Sequence, residues 1–308
     1  MYDLRPLRPD DAAWADLLAR AFDRTPTAMH ALLAYLHAWY PMVACGGWED
    51  GRLVAAYSCL LRPLHVPGLP DPVPVGMSIN MAVHPEHRGR GWVKRVAAPV
   101  YAQLAARGTA AGVGFSNAAG MRVDRHSNSY GYQVVGRLPV FVGRVPRSTQ
   151  GDPLPHCASS LPPDLPVHHP DQIAFMHTGA SLAHQVNNHP SRRYRVLWGP
   201  PGIIVDRPFT WNGITGPVLR AAYGPDLRVL LRSWLASLDG ERLIRTMAAP
   251  HSTLIAALRE LVPLVRLPVS RRGRCARSMN WPSIRGWRRA ACWSIWGMRC
   301  SCRAARCG

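Results

Sequence analysis

Arginine and glycine alternate at one point in the chain, Arg88-Gly89-Arg90-Gly91, inside the run HPEHRGRGWVKRV from His84 to Val96. Two glycines let a bulky anion come close to the backbone, and two guanidinium groups beside them can donate charge-assisted hydrogen bonds to it. A turn of this kind that opens a helix, here at Trp92 and Val93, leaves several backbone N–H groups aimed at one point. The helix dipole adds positive potential there. The chemistry on offer is the holding of a phosphate or diphosphate. By itself the string is weak, because the chain has 37 basic residues of which only Lys94 is a lysine, and Arg/Gly strings arise easily in such a composition.

The elements around the string give it weight. Ahead of it, VGMSINMAV alternates as a half-buried strand, with Val75, Met77, Ile79, Met81 and Val83 on one face and Gly76, Ser78, Asn80 and Ala82 on the other. Behind it, GWVKRVAAPVYAQLAARG puts Val93, Val96, Val100 and Leu104 on one helical face and stops at Gly108, with Pro99 removing one helix hydrogen bond. Upstream lie a strand (YDLRPL), two helices (AAWADLLARAF, TAMHALLAYLHAWY) and two strands (MVACGGW, RLVAAYSCLL) whose junction carries the hairpin pair Asp50-Gly51. Downstream come a strand (AGVGF), a turn-helix segment (SNAAGMRVDRHSN) and two strands (YQVVGR, PVFVGRV). The order through Val145 is β-α-α-β-β-β-α-β-α-β-β.

A chain of 308 residues has room for two domains. Residues 1–147 read as the first, and the proline- and serine-rich stretch 148–166 as a linker. Residues 167–270 read as a smaller β-β-α-β-α-β unit. Residues 271–308 carry arginine, four tryptophans and five cysteines but no acid, no histidine and no apolar periodicity. That composition suits a disordered tail, or GC-rich DNA read out of frame. The net charge is +19, yet all 18 acidic residues lie at or before Glu260, so much of the excess sits in this tail. Nucleic acid is therefore disfavoured as a partner of the main body. The cysteine gaps are uneven and no histidine accompanies them, so no metal is expected. Acids and prolines occupy the first eleven residues and no long apolar run follows, so a cytoplasmic protein without a membrane partner is expected.

In its first half the sequence resembles the GNAT superfamily of acyl-CoA-dependent N-acetyltransferases. The family signature is Arg or Gln, two residues, Gly, one residue, then Gly or Ala; Arg88 and Gly91 match it, and Val93 stands where the last small residue belongs. The resemblance implies an α/β (α+β) fold with a mixed central sheet of GNAT type and flanking helices. The second unit is then a degenerate GNAT-like repeat or an accessory domain that shapes the acceptor site.

The resemblance also implies roles. Arg88, Gly89, Arg90, Gly91, Trp92 and Val93 would hold the diphosphate of acetyl-CoA, the acyl donor. Met81 and Val83 would bond the pantetheine arm through their backbone, where the strand splays from the next one. Asn117 matches a family asparagine near that arm. The base would be His84, His126, Glu86 or a water held by Ser78 or Asn80, and the acid His126 or Tyr130. Ser127 stands where many relatives have a tyrosine, which leaves protonation through water, or an impaired copy, as alternatives. The expected activity is transfer of an acetyl group to a primary amine by direct attack. A CoA-binding regulator without turnover is the alternative, and a nucleic-acid-binding protein ranks third. The acceptor and the oligomeric state are not specified by the sequence.

Overall fold

The structure, a computed structural model, describes residues 2–116, 132–146, 151–155, 161, 166–167, 173–211, 213–238, 240–241, 243–267 and 291–297. Strand β1 (Tyr2–Pro6) is followed by helices α1 (Ala12–Phe22) and α2 (Pro26–His37) and strands β2 (Met42–Glu49), β3 (Arg52–His65) and β4 (Val73–Val83). A 3-10 turn over Pro85–His87 leads to helix α3 (Trp92–Ala106), then β5 (Ala111–Ser116), β6 (Tyr132–Leu138) and β7 (Val140–Arg144). This is the order read from the sequence, with the expected helix after β5 lying outside the described residues.

Short strands β8 (Pro166–Val167), β9 (Ala174–Phe175) and β10 (His177–Thr178) come next, with helix α4 (Gly179–Asn187) and strand β11 (Arg195–Gly199). The expected β-β-α-β-α-β unit then follows as β12 (Gly202–Trp211), β13 (Ile214–Tyr223), α5 (Leu227–Ala236), β14 (Leu243–Met247), α6 (Thr253–Leu261) and β15 (Leu264–Arg266). A last strand, β16 (Ala291–Gly297), lies within the arginine- and tryptophan-rich tail.

These strands form two main sheets, one ordered β1-β2-β3-β4-β5-β16-β6 with β9 added beside β3, the other ordered β11-β12-β13-β14-β7-β15. The protein is a mixed α/β fold with a second sheet. Two strands sit where the sequence did not place them. The run PVFVGRV, expected to end the first unit, crosses as β7 into the second sheet, where it pairs antiparallel with both β14 and β15. In the first sheet, β16 lies antiparallel between β5 and β6. Within the expected linker, Leu154 is buried in the second core and its N–H donates to Ser237 Oγ.

Helix α2 begins at Pro26 because proline fixes φ where a first-turn N–H has no partner anyway, and the Thr25 hydroxyl accepts the Ala28 N–H at 3.2 Å. Helices α1 and α2 cover one face of the first sheet, where Trp14, Leu18 and Leu33 pack on Ala44, Ala56 and Ala82. Helix α3 covers the other face with Trp92, Val96, Val100 and Leu104 against Cys45, Tyr57 and Cys59. Pro99 is accommodated within the fifteen residues of α3. The second core gathers under α5 and α6 around Trp234, whose indole N–H donates to the fully buried Asp206; two bonds from Arg195 hold the same carboxylate.

One close contact seats α3. A methyl group on Gly47 of β2 would lie 2.5 Å from the Trp92 ring and 3.1 Å from Val96, so only a bare backbone lets the helix settle there. Gly47→Ala is expected to lower unfolding free energy by about 1–3 kcal/mol through overpacking. Chemical denaturation monitored by far-UV circular dichroism checks this, and an unchanged midpoint would show that α3 is not seated by this contact.

Candidate functional site

Strand β4 carries the first feature of the site, and its geometry corrects the expected alternation. The register with β3 shifts between Ala56/Ala82 and Ser58/Ile79, and Asn80 takes a left-handed φ of 50°. An extra residue in β4 at this point is a bulge, and it reverses the side-chain faces beyond it. Gly76 faces α3, since an added methyl would touch Leu104, yet the odd-numbered Met81 and Val83 also pack on the α3 side. Ala82 faces α1 and α2. The expected single row from Val75 to Val83 is thus two half-rows joined at Asn80. The Asn80 Nδ2 is a buried donor with no hydrogen-bond partner among the described residues.

Parallel pairing with β5 runs from Val75↔Ala111 to Ser78↔Gly114 and goes no further. Beyond it, β4 continues for five residues. The His84 N–H donates to Val54 O at 2.8 Å, on the β3 side. By alternation the backbone groups of Met81 and Val83 therefore point to the other side, toward the opening left by β5. Of these, Val83 O accepts a 3.4 Å bond from Arg88 Nε.

The loop that follows is held from both ends. The His87 N–H donates to His84 O, and Glu49 Oε2 at the end of β2 lies 2.6 Å from His87 Nδ1 and 3.6 Å from an Arg90 nitrogen. Gly89 and Gly91 have φ of 79° and 74°, and an added methyl at either would meet nothing within 4 Å. Gly91 is the N-cap of α3, and no side chain among the described residues caps the helix there. The result is an open backbone cradle at a helix N-terminus, flanked by two arginines, with Trp92 buried behind it and Val93 half-buried in the first turn. These residues fit an anionic ligand such as a diphosphate.

The His84 ring is turned away from this opening. Arg52 donates to His84 Nε2 at 2.6 Å, which leaves the proton of the neutral ring on Nδ1. Burial, and after it the Arg52 charge, hold the imidazole below its ordinary range. Residues His126, Tyr130 and Asn117 lie outside the described residues.

A second cluster, which the sequence did not reveal, joins α2 to α4, and α4 in turn packs on the second sheet through Leu182 and Val186. Arg62 of β3 is buried, stacks over Tyr40 at 4.0 Å and Phe175 at 4.9 Å, and donates to His177 Nε2 at 3.3 Å. On the other side of that ring, Nδ1 lies 3.0 Å from Gln185 Nε2 and 3.4 Å from Tyr40 Oη. Tyr35 stacks on His184 with centroids 5.2 Å apart and donates its hydroxyl to Gln185 O at 3.0 Å. Helix α2 is thereby fastened to α4.

Residues 3–134 match a family model described as an acetyltransferase (GNAT) domain. The N-terminal part of the chain belongs to the GNAT superfamily. Among solved structures, a GCN5-related N-acetyltransferase from Kribbella flavida superposes with a TM-score of 0.64 at 14% identity, covering 96% of this chain and 70% of that one. Eis1 from Mycobacterium abscessus gives 0.60 at 15% identity over 87% of this chain and 71% of that one. A tandem GNAT protein from the clavulanic acid biosynthesis pathway gives 0.58 at 13% identity, with 96% and 98% covered. At such identities the likeness speaks for the fold, including the second sheet. No curated protein matches the sequence. Among the described residues no helix is long and apolar enough to cross a membrane.

The fastening of the GNAT domain to the second sheet carries a pH dependence. Burial, then Arg62, brings His177 down from 6.5 to about 3; burial, then Arg192, brings His189, whose ring centroid lies 5.0 Å from that of Tyr35, down to about 4. A histidine with a depressed folded value contributes fully above 6.5 and loses that contribution as pH falls toward the folded value. The melting temperature is expected to fall as pH drops below about 6.5, and His177→Gln should flatten that fall by close to one proton. Scanning calorimetry between pH 7 and 4 checks it, and parallel curves for the two proteins would exclude His177 as a contributor.

Proposed function

We propose that this GNAT domain transfers an acetyl group from acetyl-CoA to a primary amine by direct attack. The observation that carries the reading is the end of β4–β5 pairing at Ser78 and Gly114, directly ahead of the glycine cradle at the head of α3. The cradle holds the donor's diphosphate, with Arg88 and Arg90 adding charge and the Gly89 and Gly91 backbones allowing close approach. The edge of β4 at Met81 and Val83 offers peptide groups to the amide-bearing arm that links diphosphate to thioester, as a neighbouring strand would. This anchoring converts a bimolecular step into a positioned one, the main source of acceleration when no covalent enzyme intermediate forms.

In the reaction the amine nitrogen bonds to the acyl carbon, the carbon–sulfur bond breaks, the nitrogen loses a proton and the thiolate gains one. Asn80 is the side chain best placed to hold polar atoms of the reacting pair, because its buried Nδ2 lies on the bulge just past the last β4–β5 pair. His84 is not assigned the base, since its Nε2 is engaged by Arg52 on the β3 side of β4. Helix α2 and the second sheet that is fastened to it border the acceptor.

Acetyl-CoA is expected to bind in the micromolar range by calorimetry, and Gly91→Val to weaken it at least about tenfold, because the valine strains a left-handed φ and fills the cradle. Thiol release across a panel of amines should find turnover, and Asn80→Gly, which tolerates the same backbone angle, should lower kcat about tenfold or more. Absence of acetyl-CoA binding would overturn the reading. Tight binding without turnover on any amine would favour a CoA-responsive regulator instead.

A further inference from the structure

A cavity of about 280 Å³ lies between α1 and the turn from β2 to β3, on the side of β4 away from β5. Arg20 of α1, Arg52 of β3 and His84 line it together with Trp48, and Asp16 is the one carboxylate in its wall. Two of these groups are donors without an acceptor among the described residues. Trp48 Nε1 and His84 Nδ1 are buried and have no hydrogen-bond partner there, and the His84 side chain as a whole is only 7% exposed. The bond from Arg52 fixes the proton of the neutral ring on Nδ1. The nearest carboxylate to it, Glu86, is 3.7 Å away, too far for a hydrogen bond, and also lies 3.8 Å from Arg52. Buried donors of this kind are normally satisfied, and Asp16 gives neither of them a hydrogen bond, so the two donors lack an acceptor.

We infer that this cavity binds a small oxyanion, a carboxylate or a phosphate, whose oxygens accept from His84 Nδ1 and Trp48 Nε1 and pair with Arg20 and Arg52. The volume corresponds to about nine water molecules, enough for a compact organic acid. A metal ion suits the place less well, although ligand atoms of His84, Glu86 and His87 lie within 4.8 Å of one another. Arg52 is itself a cation against that group, and the Nδ1 proton blocks the ring's remaining ligand atom.

The site is wired to the glycine cradle. His84 is the residue before the Pro85–His87 turn, and Glu86 in that turn is the carboxylate an incoming oxyanion would displace from Arg52 and His84. Like charges repel across so short a span, so occupancy moves the turn that feeds Arg88 to Gly91. The coupling, though not the binding itself, rests on the acyl-CoA reading above. The oxyanion acts as an effector, on the opposite side of β4 from the donor's arm.

Calorimetric titration of the full chain with sodium malonate and, separately, with inorganic phosphate tests this at low ionic strength. At this cavity one site of about millimolar affinity or better is expected for malonate, and for phosphate one site that survives Arg88→Ala and is separate from any phosphate taken by the glycine cradle. Arg20→Ala and Trp48→Phe should each weaken it at least about threefold, while Arg88→Ala leaves it unchanged. A preference for malonate assigns a carboxylate effector, and a preference for phosphate a phosphorylated one. Saturating malonate should shift the acetyl-CoA Kd at least about twofold, and that shift should vanish in Arg20→Ala. No heat with either probe, or binding lost in Arg88→Ala and kept in Arg20→Ala, overturns the proposal. Oxyanion binding through Arg20 in a protein that fails to bind acetyl-CoA would uphold the site and remove the acyl-CoA reading instead.

Discussion

Two neighbouring parallel strands cannot stop exchanging hydrogen bonds in mid-sheet without leaving peptide groups that need another partner. In this chain β4 and β5 part after Ser78 and Gly114, and the bulge at Asn80 makes the parting possible by turning the rest of β4 through one residue. The exposed edge at Met81 and Val83, the Arg88 bond to Val83 O and the placement of the glycine cradle all follow from that one break. On the far side of β4 the same reversal sends His84 toward α1 and the β2–β3 turn. One extra residue therefore builds an opening on one flank of the strand and a cavity on the other.

The rigidity of this arrangement comes from its surroundings. Trp92 drops into the space that Gly47 leaves free, which fixes the head of α3 and hence the direction of its first N–H groups. Glu49 ties the loop to the end of β2 through His87 and Arg90. On the opposite face, the stacked Tyr35 and His184 and the buried Arg62 bring α2 and the second sheet together without a carboxylate pairing with that arginine among the described residues. Aromatic faces and a neutral imidazole take the place a carboxylate would usually fill.

Much of this was legible in the residues, in proportion to how local each signal is. The Asp50-Gly51 pair reads as a tight hairpin, and both residues take positive φ, 49° and 78°. Gly108, read as the end of a helix, has φ of 72° two residues past α3. The glycine cradle was visible from its place between a strand and a helix. The bulge was not, because Asn80 continues the polar row of a period-two pattern and an inserted residue has no composition of its own. Strand β11 and helix α4 escaped notice because histidines and arginines in and between them interrupt the apolar rhythm. The Arg62 cluster unites residues more than a hundred positions apart, which no window along the chain can show. Asn117 rests on the family resemblance alone, and His126 and Tyr130 are candidates only because Ser127 stands where many relatives have a tyrosine; all three lie outside the described residues.

Val140–Arg144 follows β6 after a single residue, Pro139, yet pairs in the other sheet, while the strand between β5 and β6 comes from Ala291–Gly297. Each sheet therefore waits, during synthesis, for a strand encoded far down the chain. The pairing of β7 needs β14, and the gap beside β5 stays open until β16 exists. Such long-range closures slow folding, and the unsatisfied strand edges are free meanwhile to pair with another chain. The two halves are thus interlocked in time as well as in space, and neither can finish its sheet alone.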